Sequence, residues 1–343
     1  MPNLTVDFND TDRINKIMRI YKKYGIVVIE NVLADEKCDG YVDKIMDCFE
    51  GFGTGIRRKD QKTWTRDSLP PQTRPGMFQA LCANFPPVWD VRTEQNIQTV
   101  YQEVYTRLRN KKVTDMIVSG DAINVKPSQV GPFYSDSIKD WPHLDQTFGD
   151  VFKCVQGQMV LTNTTACFLA TPGSHKQYNK LREEFGIKDA DRSNWYKFSD
   201  EDIEKAKKLF KHWQIPIRAK KGSLILWTST TIHSAQYAEK NPKVPVTKTK
   251  DKYYNWRCVV YVCYRPREDF TAQEIRKRYE CYKNNRTTNH WSTKVMPKNP
   301  VGRYVGLSTF KAQMQQYIEK PELMYDKKIF KPKLRKEQIK LAS

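Results

Sequence analysis

The chain has 343 residues and a mass of 40.3 kDa, enough to bury a sizeable core in one large or two smaller domains. It carries 59 Lys and Arg against 39 Asp and Glu, a formal net charge of +20 that attracts polyanions such as nucleic acid, an anionic membrane or an acidic substrate. Its apolar runs are too short to span a bilayer and its polar start lacks the layout of a signal peptide, so we expect a cytosolic or nuclear protein.

Eight cysteines are spread through the chain, and none forms a CxxC pair or another spacing typical of zinc sites. We therefore expect reduced thiols in a reducing compartment. The basic residues are also distributed, with runs at 107–112, 205–213, 218–221 and 248–252 and a basic C-terminal tail. Most such runs are solvated faces, so the charge leaves nucleic-acid binding open as an alternative.

The N-terminal part, residues 1–118, has the pattern of helices around one buried strand. The apolar run GIVVIENVL at 25–33 predicts the strand, and residues 51–90, rich in Gly, Pro and charge, are predicted to be loop. Apolar residues spaced three and four apart, as in a helix with one buried face, predict helices at 11–23, 34–50 and 92–113.

From 119 to 268 the dominant signals are short strands separated by Gly, Pro and polar turns, which favours a β-sandwich or barrel over alternating β-α units. A helical insertion at 179–212 interrupts these strands. Residues 269–343 return to helical patterns at 271–283 and 308–320 before the basic tail. Because no repeat or low-complexity linker is visible, we predict one domain, a mostly β core with N-terminal, inserted and C-terminal helices.

His143 and Asp145, in the segment WPHLDQ, are the first candidates for chemistry. Residues i and i+2 of a strand point to the same face, so this imidazole and this carboxylate can bind one metal ion side by side. His233, at the start of a later predicted strand, is the candidate third ligand. Two histidines and one carboxylate form the facial triad suited to non-haem Fe(II) and oxygen chemistry, although a zinc hydrolase could use the same ligands.

Arg257 distinguishes these two metal chemistries. It begins the predicted strand WRCVVYVCYR and alternates with Val259, Tyr261 and Cys263 on one face. A cation on an otherwise apolar face is costly unless it meets an anion, and a dicarboxylate co-substrate would supply one. The alternative is that Arg257 pairs with a protein acid or faces solvent.

Several motifs, taken in order, give the chain a recognisable likeness. They are YGIVVIENVL, WPHLDQ, QGQMVLTNTTACFLATPGSHK and KKGSLILWTSTTIHSA, the third ending in the PGSHK run at 172–176. In this order they resemble the phytanoyl-CoA dioxygenase-like family of Fe(II)/2-oxoglutarate oxygenases over residues 20–265. The resemblance implies a double-stranded β-helix, also called a jelly roll or cupin-like fold, and an enzyme that uses Fe(II), 2-oxoglutarate and O2.

The same resemblance assigns residues to these groups. It gives His143, Asp145 and His233 to iron, and it gives Arg257 to the far carboxylate of 2-oxoglutarate. One departure is the connection between His233 and Arg257, EKNPKVPVTKTKDKYY, which is longer than in many members of the family.

A second departure is Ala235, two residues after the distal histidine, where the family often has a small hydroxyl residue. Ser234 would then have to supply the hydroxyl. Asn124 and Lys126, on the strand leading toward the triad, are further candidates for contacts with the co-substrate, with a structural role as their alternative.

The other histidines and the tryptophans have plainer interpretations. His175, within PGSHK, is predicted to be a loop residue at the rim of the site, and His212 and His290 are predicted to be packed or surface residues. Three tryptophans are expected in the core or the wall of the site: Trp141, Trp227 and Trp256.

The expected activity is therefore hydroxylation of a C–H bond in a small molecule or a side chain. Basic residues in 51–90 and 179–212, which are expected to form the substrate mouth, favour an anionic substrate. One alternative is a catalytically inactive protein of the same fold that contacts nucleic acid or another assembly through its basic surface. A nucleic-acid demethylase of the AlkB type is disfavoured, because Arg257 and Arg265 do not have that group's spacing.

Overall fold

The computed structural model describes residues 2–65, 68–70, 72, 76–79, 81–128, 141–189, 194–239, 250–283, 286–293 and 335–342. The helices in these ranges are α1 (Arg13–Tyr24), α2 (Asp35–Gly51), α3 (Pro86–Arg92), α4 (Gln95–Arg109), α5 (Tyr178–Glu184), α6 (Asp200–Leu209), α7 (Ala272–Lys283) and α8 (Lys336–Ala342). The strands are β1 (Thr5–Asp7), β2 (Ile26–Glu30), β3 (Met77–Phe78), β4 (Met116–Val118), β5 (Ile123–Lys126), β6 (His143–Leu144), β7 (Val155–Val160), β8 (Cys167–Ala170), β9 (Tyr196–Lys197), β10 (Ile215–Ile217), β11 (Leu224–Thr228), β12 (His233–Gln236), β13 (Arg257–Val262) and β14 (Tyr264–Pro266).

Two sheets form the core. The major sheet has seven strands in the order β1-β2-β11-β7-β13-β5-β3, antiparallel except for the β1-β2 pair. The minor sheet has five antiparallel strands in the order β10-β8-β12-β6-β9, and β4 and β14 form a separate pair. This mostly β core with surrounding helices confirms the predicted jelly-roll fold.

The major sheet is buried on both faces, and the period of two along each strand divides its side chains between two cores. In β2, Val27 and Ile29 face the helices, whereas Ile26 and Val28 face the minor sheet. The helix-facing core includes side chains from α1, α2, α3 and α4, so it is much the larger of the two. The inner core lies between the sheets and takes Phe168 from the minor sheet together with Trp227 from the major sheet.

The insertion covers the outer face of the minor sheet. Its helices α5 and α6 contribute Leu181 and Ala206 to a third apolar cluster that includes Leu144 and Ile232, the neighbours of the two candidate histidine ligands. Apolar side chains just beside His143 and His233 therefore anchor the two strands from outside, while the histidines point inward.

The turn between α1 and β2 requires a glycine. Gly25 has φ 73°, in the left-handed region, and its N–H closes α1 by donating to the Tyr21 carbonyl at 2.7 Å. A Cβ at this position would also collide with the Thr231 hydroxyl and the His175 ring. The first long strand is thus packed directly against the PGSHK turn.

Several predicted elements differ in detail. The helix predicted over 92–113 corresponds to the shorter α4, and α3 precedes it, beginning inside the predicted loop 51–90, which also contains β3. The insertion 179–212 is not wholly helical, since β9 lies within it and pairs with β6. The helix predicted at 308–320 lies outside the described residues, and the single-domain division stays a prediction.

Two general expectations can be compared with the structure. All eight cysteines are free thiols, seven of them buried. Within the described ranges, no helix is long and apolar enough to cross a membrane.

Candidate metal centre

Two neighbouring strands of the minor sheet bring the candidate ligands together. β6 and β12 are antiparallel, and His143 is the direct cross-strand partner of His233. Asp145 follows β6, where its backbone N–H donates to the Ser229 carbonyl at 3.0 Å. This bond holds the residue beside the turn between β11 and β12. The carboxylate therefore lies next to both rings.

The three side chains point their ligand atoms at one another. Asp145 Oδ1 is 3.6 Å from His143 Nε2, and Asp145 Oδ2 is 3.3 Å from His233 Nε2. Each residue offers a ligand atom, and these atoms lie within 4.8 Å of one another. In the described part of the chain this is the one such group of His, Cys, Asp or Glu residues.

The other ring nitrogen of each histidine is engaged with the backbone. His143 Nδ1 is 3.0 Å from the Trp141 carbonyl, and His233 Nδ1 is 2.9 Å from the Thr231 carbonyl. Since a carbonyl only accepts, each Nδ1 carries the proton and donates it. Each Nε2 is then left with its lone pair, which is the tautomer that a metal-binding imidazole needs.

Asp145 is held as a carboxylate. Burial opposes its charge, but the positive charge that His290, His143 and His233 carry when protonated outweighs burial and holds the pKa of Asp145 well below its usual range. Gln156 adds a hydrogen bond from its amide Nε2 to Asp145 Oδ2 at 3.1 Å. The group is therefore charged and oriented at neutral pH.

Aromatic side chains enclose the two histidine rings. Trp141 stacks on His143 with ring centroids 4.1 Å apart and planes 5° apart, while Phe168 stacks on His233 at 5.3 Å and 27°. Trp227 is tilted against His233 with its centroid 5.5 Å away. These contacts restrict ring rotation and remove the rings from water, so the ligands are preorganised.

A second feature of the inner wall is a pair of buried cations. Arg257 and Lys126 are 3% and 4% exposed and are cross-strand partners on β13 and β5. Arg257 donates to the Gln158 side-chain oxygen at 3.3 Å, and Lys126 Nζ lies 3.9 Å from the centre of the Tyr237 ring. Within the described residues neither cation has an acidic partner, which excludes the pairing of Arg257 with a described protein acid or its exposure to solvent.

Holding two basic side chains charged in an apolar wall is costly. Burial lowers the pKa of Lys126 well below its usual range, and the nearby charge of Arg257 lowers it further. Asn124, which shares a face of β5 with Lys126, has a buried side-chain oxygen that accepts no hydrogen bond from the described residues. The two basic side chains are therefore the feature of this wall that is expected of a site for an anion.

Strand β7 connects the cations to the metal ligands. Gln156 contacts Asp145, and Gln158, two residues along on the same face, contacts Arg257. A strand rises about 3.3 Å per residue, so these contacts are separated by about 7 Å. That spacing suits a short dicarboxylate with one end at the metal and the other at the arginine.

Ser234 does not belong to this group. It follows His233 on β12, so its side chain points to the opposite face, where its hydroxyl donates to the Gln214 side-chain oxygen at 2.6 Å. Ala235, two residues after His233, shares the face of that histidine but has no hydroxyl. The structure therefore offers no hydroxyl from either residue to the co-substrate.

The PGSHK turn supports the strand that carries His233 and supplies no metal ligand itself. His175 is 1% exposed instead of standing at the rim, its Nε2 donates to the Lys22 carbonyl at 3.1 Å, and burial lowers its pKa to about 4. Ser174 Oγ accepts from the Ile232 N–H at 2.9 Å, one residue before His233. The motif therefore positions the distal histidine strand against α1 and β2.

Three residues around the site were absent from the predictions, Gln156, Gln158 and Trp291, and His290 was predicted only as a packed or surface residue. The glutamines had a usable signal, since two amides on one face of the buried strand VQGQMV require partners. His290 and Trp291 had none, because their contacts join residues far apart in the chain.

The donor set fits iron. Two neutral imidazoles and one carboxylate leave other coordination positions on the metal open. A dicarboxylate that binds there with one end would reach Arg257 and Lys126 with the other. Zinc would accept the same three ligands, but the buried Arg257 and Lys126 would then have no anion to bind.

The chain is similar in sequence or in fold to several known proteins. The Ava biosynthesis cluster protein O of Aspergillus versicolor is 22% identical over 312 residues, covering 85% of this chain and 92% of that protein. The GlcNAc-inducible protein GIG2 of Candida albicans superposes with a TM-score of 0.52 and 14% identity over 98% of this chain and 83% of its own. The epimerase SnoN, solved with Fe3+, alpha ketoglutarate and nogalamycin RO, gives a TM-score of 0.46 and 13% identity over 75% and 85%.

A family model provides the assignment. The model described as Phytanoyl-CoA dioxygenase (PhyH) matches residues 21–238, more than half of the chain. This range begins in α1 and ends after β12, so it includes all three candidate ligands and the PGSHK turn. The protein belongs to the phytanoyl-CoA dioxygenase (PhyH) family.

Proposed function

We propose that this protein is an Fe(II)- and 2-oxoglutarate-dependent dioxygenase that hydroxylates a C–H bond. The observation that carries the proposal is the combination of a His-Asp-His triad with two buried basic side chains on the same inner wall, neither paired with an acid among the described residues. Overall, substrate, 2-oxoglutarate and O2 would give hydroxylated substrate, succinate and CO2. Oxygen and carbon both balance in this reaction.

His143 Nε2, His233 Nε2 and the Asp145 carboxylate would hold the iron. When bound, iron supplies the one-electron and O2 chemistry that couples decarboxylation of the 2-oxo acid to attack on the substrate. The chain's own contribution is to fix the three ligands and to keep the surrounding wall dry through Trp141, Phe168 and Trp227.

Arg257 and Lys126 would bind the far carboxylate of 2-oxoglutarate. Gln158 orients the guanidinium, and Asn124 on the same wall would contact the carboxylate through its side-chain N–H2 group. Because the cations are already buried, binding an anion removes an electrostatic penalty as well as forming hydrogen bonds. This arrangement would fix the co-substrate in one orientation before O2 enters.

We further propose that the insertion helps to form the substrate mouth. β9 pairs with β6, so Lys197 lies opposite His143 and Tyr196 opposite Leu144. Residues of the 51–90 segment also approach the wall, since the Lys126 stem packs against Gly76. Basic residues in both segments support an anionic substrate.

The test is succinate formation from 2-oxoglutarate after air is admitted to iron-loaded protein. We expect turnover in the wild type and in His212→Ala, a histidine outside the site, and none in His143→Ala or Asp145→Ala. Turnover that survives both triad substitutions would contradict the proposal. If the wild type bound neither iron nor 2-oxoglutarate, the result would instead favour the inactive, polyanion-binding alternative suggested by the +20 charge.

A further inference from the structure

A segment beyond the matched family region reaches the backbone of a candidate metal ligand. Trp291 Nε1 donates to the carbonyl oxygen of Asp145 at 3.1 Å, and His290 Nε2 lies 3.3 Å from the same oxygen. A carbonyl has two lone pairs, so the two ring N–H groups together satisfy it. The matched region ends at residue 238, and both rings come from after α7.

Asp145 depends on such contacts because it lies outside a regular ladder. β6 is two residues long and ends at Leu144, so no strand partner fixes the next peptide group. The N–H of Asp145 is held by Ser229 and its carboxylate by Gln156. The carbonyl is the remaining backbone group, and the indole and imidazole hold it.

The segment that carries the two rings is itself firmly anchored. Trp291 is 2% exposed, stacks on Phe148 at 5.3 Å and packs against Cys154 and Cys263. Its carbonyl accepts from Arg265 Nη1 at 3.2 Å.

The residues on either side are anchored too. Arg278, fully buried on α7, donates to the Ser292 carbonyl at 2.6 Å. Upstream, Thr288 exchanges two 3.0 Å hydrogen bonds with Gly120, on the turn leading to β5. A segment fixed at both ends can hold its rings in place against Asp145.

We propose that Trp291 and His290 are positioning residues that lock the Asp145 peptide and thereby hold its carboxylate in the geometry required for metal binding. This inference rests on the proposed function, since it assumes that Asp145 is a ligand. Partners of metal ligands typically change metal affinity or activity by about 10- to 100-fold when they are removed.

The test uses substitutions that remove one N–H each. Trp291→Phe keeps an aromatic ring on Phe148, and His290→Leu removes the imidazole donor, whereas His290→Gln places an amide N–H near the same position. Trp64→Phe is the matched control, because the buried Trp64 indole also donates to a backbone carbonyl, that of Arg57, at 3.1 Å. The measurements are anaerobic Fe(II) affinity, the visible spectrum of the Co(II)-substituted protein, and the melting temperature of the metal-free protein.

We expect Trp291→Phe and His290→Leu each to weaken Fe(II) binding by about tenfold and to alter the Co(II) spectrum, with His290→Gln restoring both. Trp64→Phe should lower the melting temperature while leaving metal affinity and spectrum at wild-type values. If Trp291→Phe and His290→Leu had the same metal affinity and Co(II) spectrum as Trp64→Phe, the inference would be overturned while the proposed function would stand. Wild-type protein that binds neither metal would overturn the proposed function, and the inference with it.

Discussion

Hydrogen bonds to the backbone decide the chemistry of individual residues at this site. His143 and His233 each donate Nδ1–H to a carbonyl two residues earlier in the chain, and this leaves both Nε2 atoms as lone-pair donors beside Asp145. The same local geometry at both histidines means that the tautomer follows from the fold. Metal binding would therefore require no change of tautomer.

We expect Arg257 to lower the stability of the free protein and to increase its affinity for 2-oxoglutarate. Arg257→Met removes a buried cation that has no acidic partner, so we expect the free energy of unfolding of the metal-free protein to rise by about 1 kcal/mol. Loss of a charged hydrogen bond costs about 1.5 to 3 kcal/mol, so the Kd for 2-oxoglutarate should rise by about 10- to 100-fold. Denaturant titration and calorimetric titration measure the two effects.

Arg92→Met is the contrasting control for Arg257. The buried Arg92 guanidinium satisfies the carbonyls of Ala83 and Asp121, so its loss should destabilise the protein while leaving co-substrate affinity unchanged. If Arg257→Met instead behaved like Arg92→Met in both measurements, Arg257 would be a structural residue.

Lys126 should take up a proton when 2-oxoglutarate binds. Burial, and secondarily Arg257, depress its pKa, so above that depressed pKa the free protein holds Lys126 neutral. A bound carboxylate favours the ammonium form and raises the pKa again. Uptake is thus expected between the depressed pKa and the usual value of about 10.4, and it should vanish below the depressed pKa, where Lys126 is already charged.

Calorimetric titration in buffers of different ionisation enthalpy measures this uptake as a function of pH. Lys126→Met is the control, because it removes the titrating group while keeping a long side chain against Gly76. Equal proton uptake by wild type and Lys126→Met at every pH would assign the effect to another group.

The metal triad could be predicted from the sequence, whereas much of its surroundings could not. His143, Asp145 and His233 follow from a strand period of two and a small number of histidines, and Arg257 from a cation in an apolar strand. Trp291 was unpredictable because its bond to Asp145 joins residues 146 positions apart. Ser234 was the nearest hydroxyl in sequence, but the alternation of β12 points it to the wrong face.

Among the elements, β7 has packing constraints on both faces and at both edges. It pairs with β11 and β13 at the centre of the major sheet, presents Gln156 and Gln158 to the site, and turns Gly157 toward the helices. A Cβ at Gly157 would meet the Tyr101 hydroxyl and lie 2.9 Å from Leu226 Cδ2. The glycine therefore allows α4 to pack close to the strand that carries the site.

Gly157→Ala should destabilise the protein by about 1 to 3 kcal/mol, because a crowded core must shift to admit the methyl group and the Tyr101 bond to the Val262 carbonyl is disturbed. Gly40→Ala is the matched control. Gly40 lies within α2 with open space around it, so alanine there should stabilise by about 0.5 to 1 kcal/mol. Denaturant unfolding measures both, and equal effects at the two glycines would contradict the packing account.

Elements with strong periodicity were predictable, and short ones were not. α1 and α2 have wide apolar stripes, and the bounds predicted for them agree closely with the structure. β9 has two residues and exists because it pairs with β6, so tertiary contact and not local sequence forms it. α3 was likewise missed, because its seven residues lie at the end of a segment whose Gly, Pro and charge predicted a loop.

At the scale of the whole molecule, the two sheets and the helical layers place the site. The inner core is small and lies between the sheets, so any polar group in it stands out against apolar neighbours. The jelly roll was predictable from many short strands in a recognisable order. The strand order was not, because pairs such as β2 with β11 join distant parts of the chain.

The central claim is that the triad and the buried cations together form one iron and 2-oxoglutarate site. The most direct measurement is an anaerobic titration of 2-oxoglutarate into Fe(II)-loaded protein, followed by the visible charge-transfer absorption of a 2-oxo acid chelated to Fe(II). We predict this absorption in the wild type, its loss in Asp145→Ala, and a shift to higher 2-oxoglutarate concentration in Arg257→Met. No absorption in the wild type, or full absorption in Asp145→Ala, would contradict the account.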